Sequence, residues 1–265
     1  MRLVERIRLC YRMLVFIGSM LLLWAGLELE VLLLRKSRLD AINKYVPLWA
    51  KFNLRRFGVS IDARGKHLDN GETYPGRSEE GIGRIFIANH SSGMDIPLMF
   101  TVAETRVISR HDIANWPILG KAARRVGTLF VDRQSKRSGA SVLRVIDNTL
   151  KRGEGVAMFP EGTALDGDQV HEFRPGAFNA ARRAGAEIVP IGIAYGDERA
   201  YFSGLPFLPH MTRIAYLSSL QVAIEVGEPM PCGGDAVQLK NEAQQRVQAL
   251  VDRARERLNT GSEQA

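Results

Sequence analysis

A histidine and an aspartate stand five positions apart in "IFIANHSSGMDIPLMF", residues 85–100, directly after an apolar run. The run reads as a strand ending at Asn89-His90, "SSG" as a turn, and Asp95 as the start of a helix. Such a turn can return the carboxylate to one imidazole nitrogen, fixing the tautomer and readying the other nitrogen as a base. The same residues also suit a helix cap joined to a satisfied histidine, so the pair alone admits both readings. Proton transfer needs a group to deprotonate. The chain has no G-x-S-x-G elbow, and neither Cys10 nor Cys232 has a catalytic setting. Ser91 and Ser92 adjoin His90, but adjacency is not geometry. A base without a protein nucleophile points to a substrate that brings its own, a hydroxyl able to attack an activated ester.

Three further blocks carry chemistry. In "GTLFVDR", Gly127 to Arg133, the arginine leaves a strand and suits a bidentate contact with phosphate or carboxylate, or a salt bridge to a nearby acid. In "FPEGT", Phe159 to Thr163, Pro160 and Gly162 shape a tight turn presenting Glu161, backbone N–H groups and the Thr163 hydroxyl. An ordinary surface turn has the same composition. In "IVPIGIAY", Pro190 interrupts an apolar strand, which predicts an edge position or a bulge.

Taken in this order, the blocks resemble those of the glycerolipid acyltransferase family typified by 1-acylglycerol-3-phosphate acyltransferases. That family's N-H-x-x-x-x-D, G-x-x-F-[IV]-[DR]-R, F-P-E-G-T and [IV]-[VI]-P-[IV] blocks appear as "NHSSGMD", "GTLFVDR", "FPEGT" and "IVPI", and "FRPGAF" (Phe173 to Phe178) resembles the basic segment that often follows the third. The resemblance covers roughly residues 80–230. It implies that His90 is the general base and Asp95 its orienting partner. It implies also that Arg133, Glu161, Gly162 and Thr163 bind and position the acceptor, and that the Pro190 segment helps form the acyl-donor site. A lysolipid hydroxyl would attack an acyl thioester, supplied by acyl-CoA or acyl carrier protein, without metal, cofactor or covalent acyl-enzyme. One position departs from the pattern. Many family members follow F-P-E-G-T with arginine, a phosphate ligand, whereas Ala164 stands here. Phosphate binding would then fall to Arg133, Arg174 or the basic stretch at Lys121, Arg124 and Arg125. The arginine-less block and "LPFLPHM" also resemble the lyso-ornithine-lipid branch. 1-Acylglycerol-3-phosphate is the expected acceptor, with lyso-ornithine lipid the alternative.

The elements that must position these residues alternate. Strands are predicted at "GVSIDARG", "RIFIANH", "TRVIS", "TLFV", "GVAMF", "EIVPIGIAY" and "LQVAIEVG", the last at a sheet edge. Helices are predicted from Asp95, over Ala114–Arg125, Ser138–Arg152 and Gly176–Ala184, and over Ala236–Leu258. This is an α/β chain, a mixed central sheet flanked by helices, whose site residues follow strands and converge beyond their carboxyl ends. Residues 57–265 are expected to form the catalytic domain.

Residues 1–56 are expected to be a membrane-associating helical segment. "MLVFIGSMLLLWAGL", Met13 to Leu27, is 15 residues without a charge, shorter than the ~20 that span a bilayer. Extending it means burying Glu28 and Glu30. A signal peptide is the alternative, but no small-x-small cleavage site follows. A spanning helix and a re-entrant helical pair both remain compatible. "AINKYVPLWAKFNLRRF" has amphipathic spacing that suits either a membrane surface or core packing. The net charge of +7 favours anionic partners, and residues 121–152 hold nine Lys or Arg against two Asp. Nucleic-acid binding is the non-enzyme alternative, but no nucleic-acid module is visible, so anionic membrane lipid is the expected surface and nucleic acid is not. Two cysteines in unlike settings imply neither a disulfide framework nor a zinc site, and the catalytic domain is expected to face the cytoplasm.

Overall fold

In a computed structural model of the chain, residues 3–110, 114–116, 119–131 and 136–263 are described. Two long helices come first, α1 (Leu3–Leu33) and α2 (Arg38–Arg56). Between them Ser37 caps α2 by accepting from the Asp40 amide at 3.3 Å. The alternating part follows as β1 (Val59–Arg64), β2 (Ile85–Ala88), α3 (Asp95–Val102), β3 (Arg106–Arg110), α4 (Leu119–Arg125), β4 (Leu129–Val131) and α5 (Lys136–Lys151). It continues with β5 (Val156–Met158), α6 (Gly176–Ala184), β6 (Ile188–Tyr195), α7 (Phe207–Tyr216), β7 (Leu220–Val226) and α8 (Ala236–Glu263).

The seven strands form one sheet in the order β1-β7-β6-β2-β5-β3-β4, parallel except for the β6–β7 pair. Successive side chains point to opposite faces, so the all-apolar β2 feeds two cores. Phe86 and Ala88 join Leu54, Leu98, Met99 and Ile214 beneath α2, α3 and α7. Ile85 and Ile87 join Ile146, Leu150, Phe178 and Val247 beneath α5, α6 and α8. Helix α8 lies directly on β6 because Gly192 has no side chain; a Cβ there would stand 2.3 Å from the Val251 amide nitrogen.

One expectation needs correction. β7 is not an edge strand, since it lies between β1 and β6. Its Glu225 is paired with Arg257 of α8 at 2.9 Å, so a helix covers that face. Pro190 is not at an edge, since it sits in the sheet interior with Ile87 as its β2 partner, but it does lie at a bulge: the β6 pairing slips by one residue between Ile191–Val226 and Ile188–Met230. Its carbonyl accepts from the Gly227 amide just past the end of β7, and the missing proline N–H falls inside the bulge, before pairing resumes at Ile188 and Met230. The helix expected over Ala114–Arg125 is seen as Leu119–Arg125, residues 111–113 and 117–118 lying outside the described residues.

The amino-terminal helix is long and apolar enough to cross a membrane by length and composition. It is nevertheless fastened to the rest of the chain along its length. Arg8 donates to the Tyr216 carbonyl at 2.8 Å, and buried Arg12 donates to the carbonyls of Ala215 and Leu217 at 2.8 and 2.7 Å. Near the other end, Glu28 pairs with Arg38 and Arg125, and Glu30 with Lys36 and Lys44. Leu3, Leu14, Leu22, Leu32 and Leu33 stay exposed on the opposite side.

Candidate active site

The carboxyl ends of β2, β5 and β6 meet at one rim, and His90 lies two residues past β2. Asn89 fixes that position. Its side chain donates to the Ile193 carbonyl and accepts from the Ile193 amide, both at 2.9 Å, extending the β2–β6 pairing by one residue. The imidazole then stacks on Phe159, centroids 4.4 Å apart and planes 20° apart, with Phe202 edge-on at 6.2 Å.

The Asp95 carboxylate is fully buried at the first turn of α3 and receives four donors. One oxygen accepts from His90 Nδ1 at 2.7 Å and from the Ser91 and Ser92 amides at 2.9 Å each. The other accepts from the Tyr195 hydroxyl at the end of β6. Burial first, then the adjacent carboxylate, push the Tyr195 phenol well above its ordinary pKa, so it remains a donor. With Nδ1 committed to Asp95, the lone pair of His90 is left on Nε2, and the ring lines a cavity of about 560 Å³. Thr163, Ala164, Leu165, Asp166 and Phe202 also line it. A second, apolar cavity of about 220 Å³ shares Gly93, Ile96, Ser109 and Phe207 with the first and runs beneath Phe16, Trp24 and Leu27 of α1.

Comparison with known proteins now bears on this arrangement. The Acyltransferase family model matches residues 72–194. A lyso-ornithine lipid O-acyltransferase of Pseudomonas aeruginosa is 32% identical over 174 residues, 63% of this chain and 67% of that protein. A 1-acyl-sn-glycerol-3-phosphate acyltransferase of Neisseria gonorrhoeae is 29% identical over 185 residues, 65% and 71% of the two chains. This chain belongs to the glycerolipid acyltransferase family. The crystal structure of the 1-acyl-sn-glycerophosphate acyltransferase PlsC from Thermotoga maritima shares its fold, with a TM-score of 0.69 over 95% of each chain at 18% identity.

The remaining motif residues of this acyltransferase are placed unevenly. Thr163 lines the cavity. Glu161 is buried and both its oxygens are engaged with backbone, accepting from the His90 amide at 2.9 Å and the His171 amide at 3.0 Å. Burial raises its pKa against the opposing pull of those two amides. Its side chain therefore braces the histidine instead of reaching into the cavity. Gly162 adopts φ +76°, and a Cβ there would stand 2.6 Å from Nε of Arg174, so the bare glycine lets that exposed arginine lie against the turn. Pro190, expected at the acyl-donor site, is buried in the sheet and does not line the cavity. Arg133 lies outside the described residues. Among the described residues no cluster of three or more His, Cys, Asp or Glu could hold a metal ion.

Sequence reasoning missed Asn89 and Tyr195. Asn89 was in view as part of the N-H-x-x-x-x-D block, yet its bond to Ile193 depends on strand order. Tyr195 closes "IVPIGIAY" as an aromatic at a strand end, and only the β2–β6 register brings it to Asp95.

Proposed function

We propose that this acyltransferase moves a fatty acyl group from an acyl thioester to the hydroxyl of a lysolipid, with His90 as general base and Asp95 as its orienting partner. The observation that carries this reading is the 2.7 Å His90–Asp95 contact on a ring that lines the larger cavity. The acceptor hydroxyl passes its proton to His90 Nε2 as its oxygen bonds to the thioester carbonyl carbon. The tetrahedral intermediate collapses, the C–S bond breaks, and the imidazolium returns the proton to the departing thiolate. Ester and free thiol result, and the histidine is restored. Base assistance contributes about 10²- to 10⁴-fold, and holding two substrates in register supplies much of the remainder. Acyl-CoA or acyl carrier protein serves as donor, and the apolar cavity beneath α1 takes the acyl chain.

Residues 1–56 seat the protein on a membrane as a monotopic hairpin. From Arg8 to Glu28 the helix rises ~30 Å. Both ends of that stretch are bonded to the catalytic part of residues 57–265, at Tyr216 and Arg125, which a perpendicular crossing would not permit. The exposed leucines of α1 and the exposed Leu48 and Phe52 of α2 enter the acyl layer. The catalytic domain faces the cytoplasm.

The first acceptor is 1-acylglycerol-3-phosphate, its phosphate held by Arg174 and Arg133. A second reading, lyso-ornithine lipid, is favoured by Ala164 and Asp166 in the cavity wall, an uncharged and an acidic side chain beside the reacting hydroxyl. Incubating the protein in vesicles with acyl-CoA or acyl carrier protein thioester and each lysolipid, then identifying the products by mass spectrometry, decides between them. Phosphatidic acid as main product supports the first reading and acylated ornithine lipid the second. Thiol release with no acylated lysolipid would overturn both.

A further inference from the structure

Helix α7 presses on the turn that presents the catalytic pair. A Cβ at Gly93 would meet Met211 Sδ at 2.6 Å, His210 Cδ2 at 3.2 Å and Phe207 Cε2 at 3.2 Å, all from that helix. His210 is wholly buried, its ring stacked on Phe202 with centroids 4.0 Å apart. Its Nε2 accepts from the Gly93 amide at 2.9 Å and lies 3.3 Å from Ser92 Oγ, which in turn accepts from the Met94 amide at 3.2 Å. The Ser91 and Ser92 amides on the same turn hold Asp95 from the other side.

We propose that His210 is a positioning residue for acyl transfer: as a buried acceptor at Gly93 and Ser92, it sets the turn on which Asp95 aligns the His90 base. The inference rests on the function proposed above and adds to it a histidine outside the four family blocks, in the "LPFLPHM" segment. The role requires neutral imidazole with its proton on Nδ1, because Gly93 N–H must find a lone pair on Nε2. Desolvation first, then nearby Arg213, lower the His210 pKa to about 4, so the neutral form persists at physiological pH. The Nδ1–H faces the Tyr201 backbone without a well-formed bond, which leaves the Nε2 side as the well-anchored one. Phe202, clamped by His210, also forms the edge-on wall of the His90 ring. One residue thus steadies the base through both its turn and its aromatic cage.

Two polar replacements separate this role from simple space filling. In His210→Gln the amide oxygen reaches the place of Nε2; in His210→Asn the shorter side chain ends near Nδ1 and cannot. With the full-length protein in vesicles, His210→Asn should lower kcat about tenfold or more while KM for thioester and lysolipid stays within about threefold, and His210→Gln should retain kcat within about threefold of wild type. Amide hydrogen exchange at Gly93 reads the bond independently of activity, and should accelerate about tenfold or more in the Asn variant alone. Equal turnover in all three proteins, or equal impairment of Gln and Asn, overturns the inference. If wild type acylates no lysolipid, the proposed function fails, and unchanged Gly93 exchange in the Asn variant would show that the bond itself is wrong.

Discussion

Asp95 is tightly constrained, with His90, two backbone amides and the Tyr195 hydroxyl on its two oxygens. Tyr195→Phe deletes one donor and leaves a buried carboxylate oxygen short of a partner, at about 1–2 kcal/mol. Turnover should fall severalfold to about 30-fold with an unchanged lysolipid KM, measured in steady-state thioester release. Asp95→Asn keeps the shape but offers an amide, and should cost orders of magnitude in kcat without releasing the protein from membranes. His210 adds a pH signature. With a folded pKa of about 4 against 6.5 unfolded, the unfolded chain binds the extra proton first as pH falls. The neutral histidine's contribution is whole above pH 6.5 and is lost on the way down to pH 4, about 3 kcal/mol in all. Arg213 lowers that pKa, while Asp95 and Asp166 oppose it. Urea midpoints measured across this range should fall more steeply for wild type than for His210→Gln; parallel slopes would deny the buried neutral state.

At the scale of elements, the site depends on helices that fix strand ends. Arg12 ties α1 to the carbonyls of Ala215 and Leu217 at the carboxyl end of α7, the helix that carries His210. Arg12→Ala strands those carbonyls and should destabilise the protein by about 2–4 kcal/mol, read from denaturant unfolding in detergent. Much of this level was legible in sequence. The apolar runs at 85–88 and 188–195 announced strands, and Gly176–Ala184 was visible from its helical pattern. His90 and Asp95 were legible because both lie on one local turn, five residues apart. What could not be read was anything that depends on strand order. The Pro190 ring interrupting an apolar run implied an edge or a bulge, and only the β6–β7 register decides for the bulge. Glu161 looked like a ligand in a turn, and only the neighbouring backbone of His90 and His171 reveals it as a brace. Arg133 lies outside the described residues, so its role stands as a proposal.

For the whole molecule, the proposed chemistry and the proposed membrane contact are joined through one hairpin. The apolar cavity that shares a wall with the one lined by His90 is itself lined partly by α1 and α2, so the helices proposed to meet lipid enclose the space assigned to the acyl chain. Removing residues 1–33 should therefore do two things at once. The protein should cease to sediment with vesicles, and turnover on long-chain thioesters should fall more than on short-chain ones. Continued tight sedimentation would place the anchor elsewhere. The net charge of +7 makes residual binding to anionic vesicles salt-sensitive, fading as ionic strength rises from about 0.05 to 0.5 M. The most direct test of the account is the rate of lysolipid-dependent thiol release by wild type and His90→Ala at matched protein and vesicle concentrations. The account predicts a loss of about 10²-fold or more with the thermal midpoint moved by no more than about 3 °C. Wild-type turnover in a folded alanine variant would contradict it.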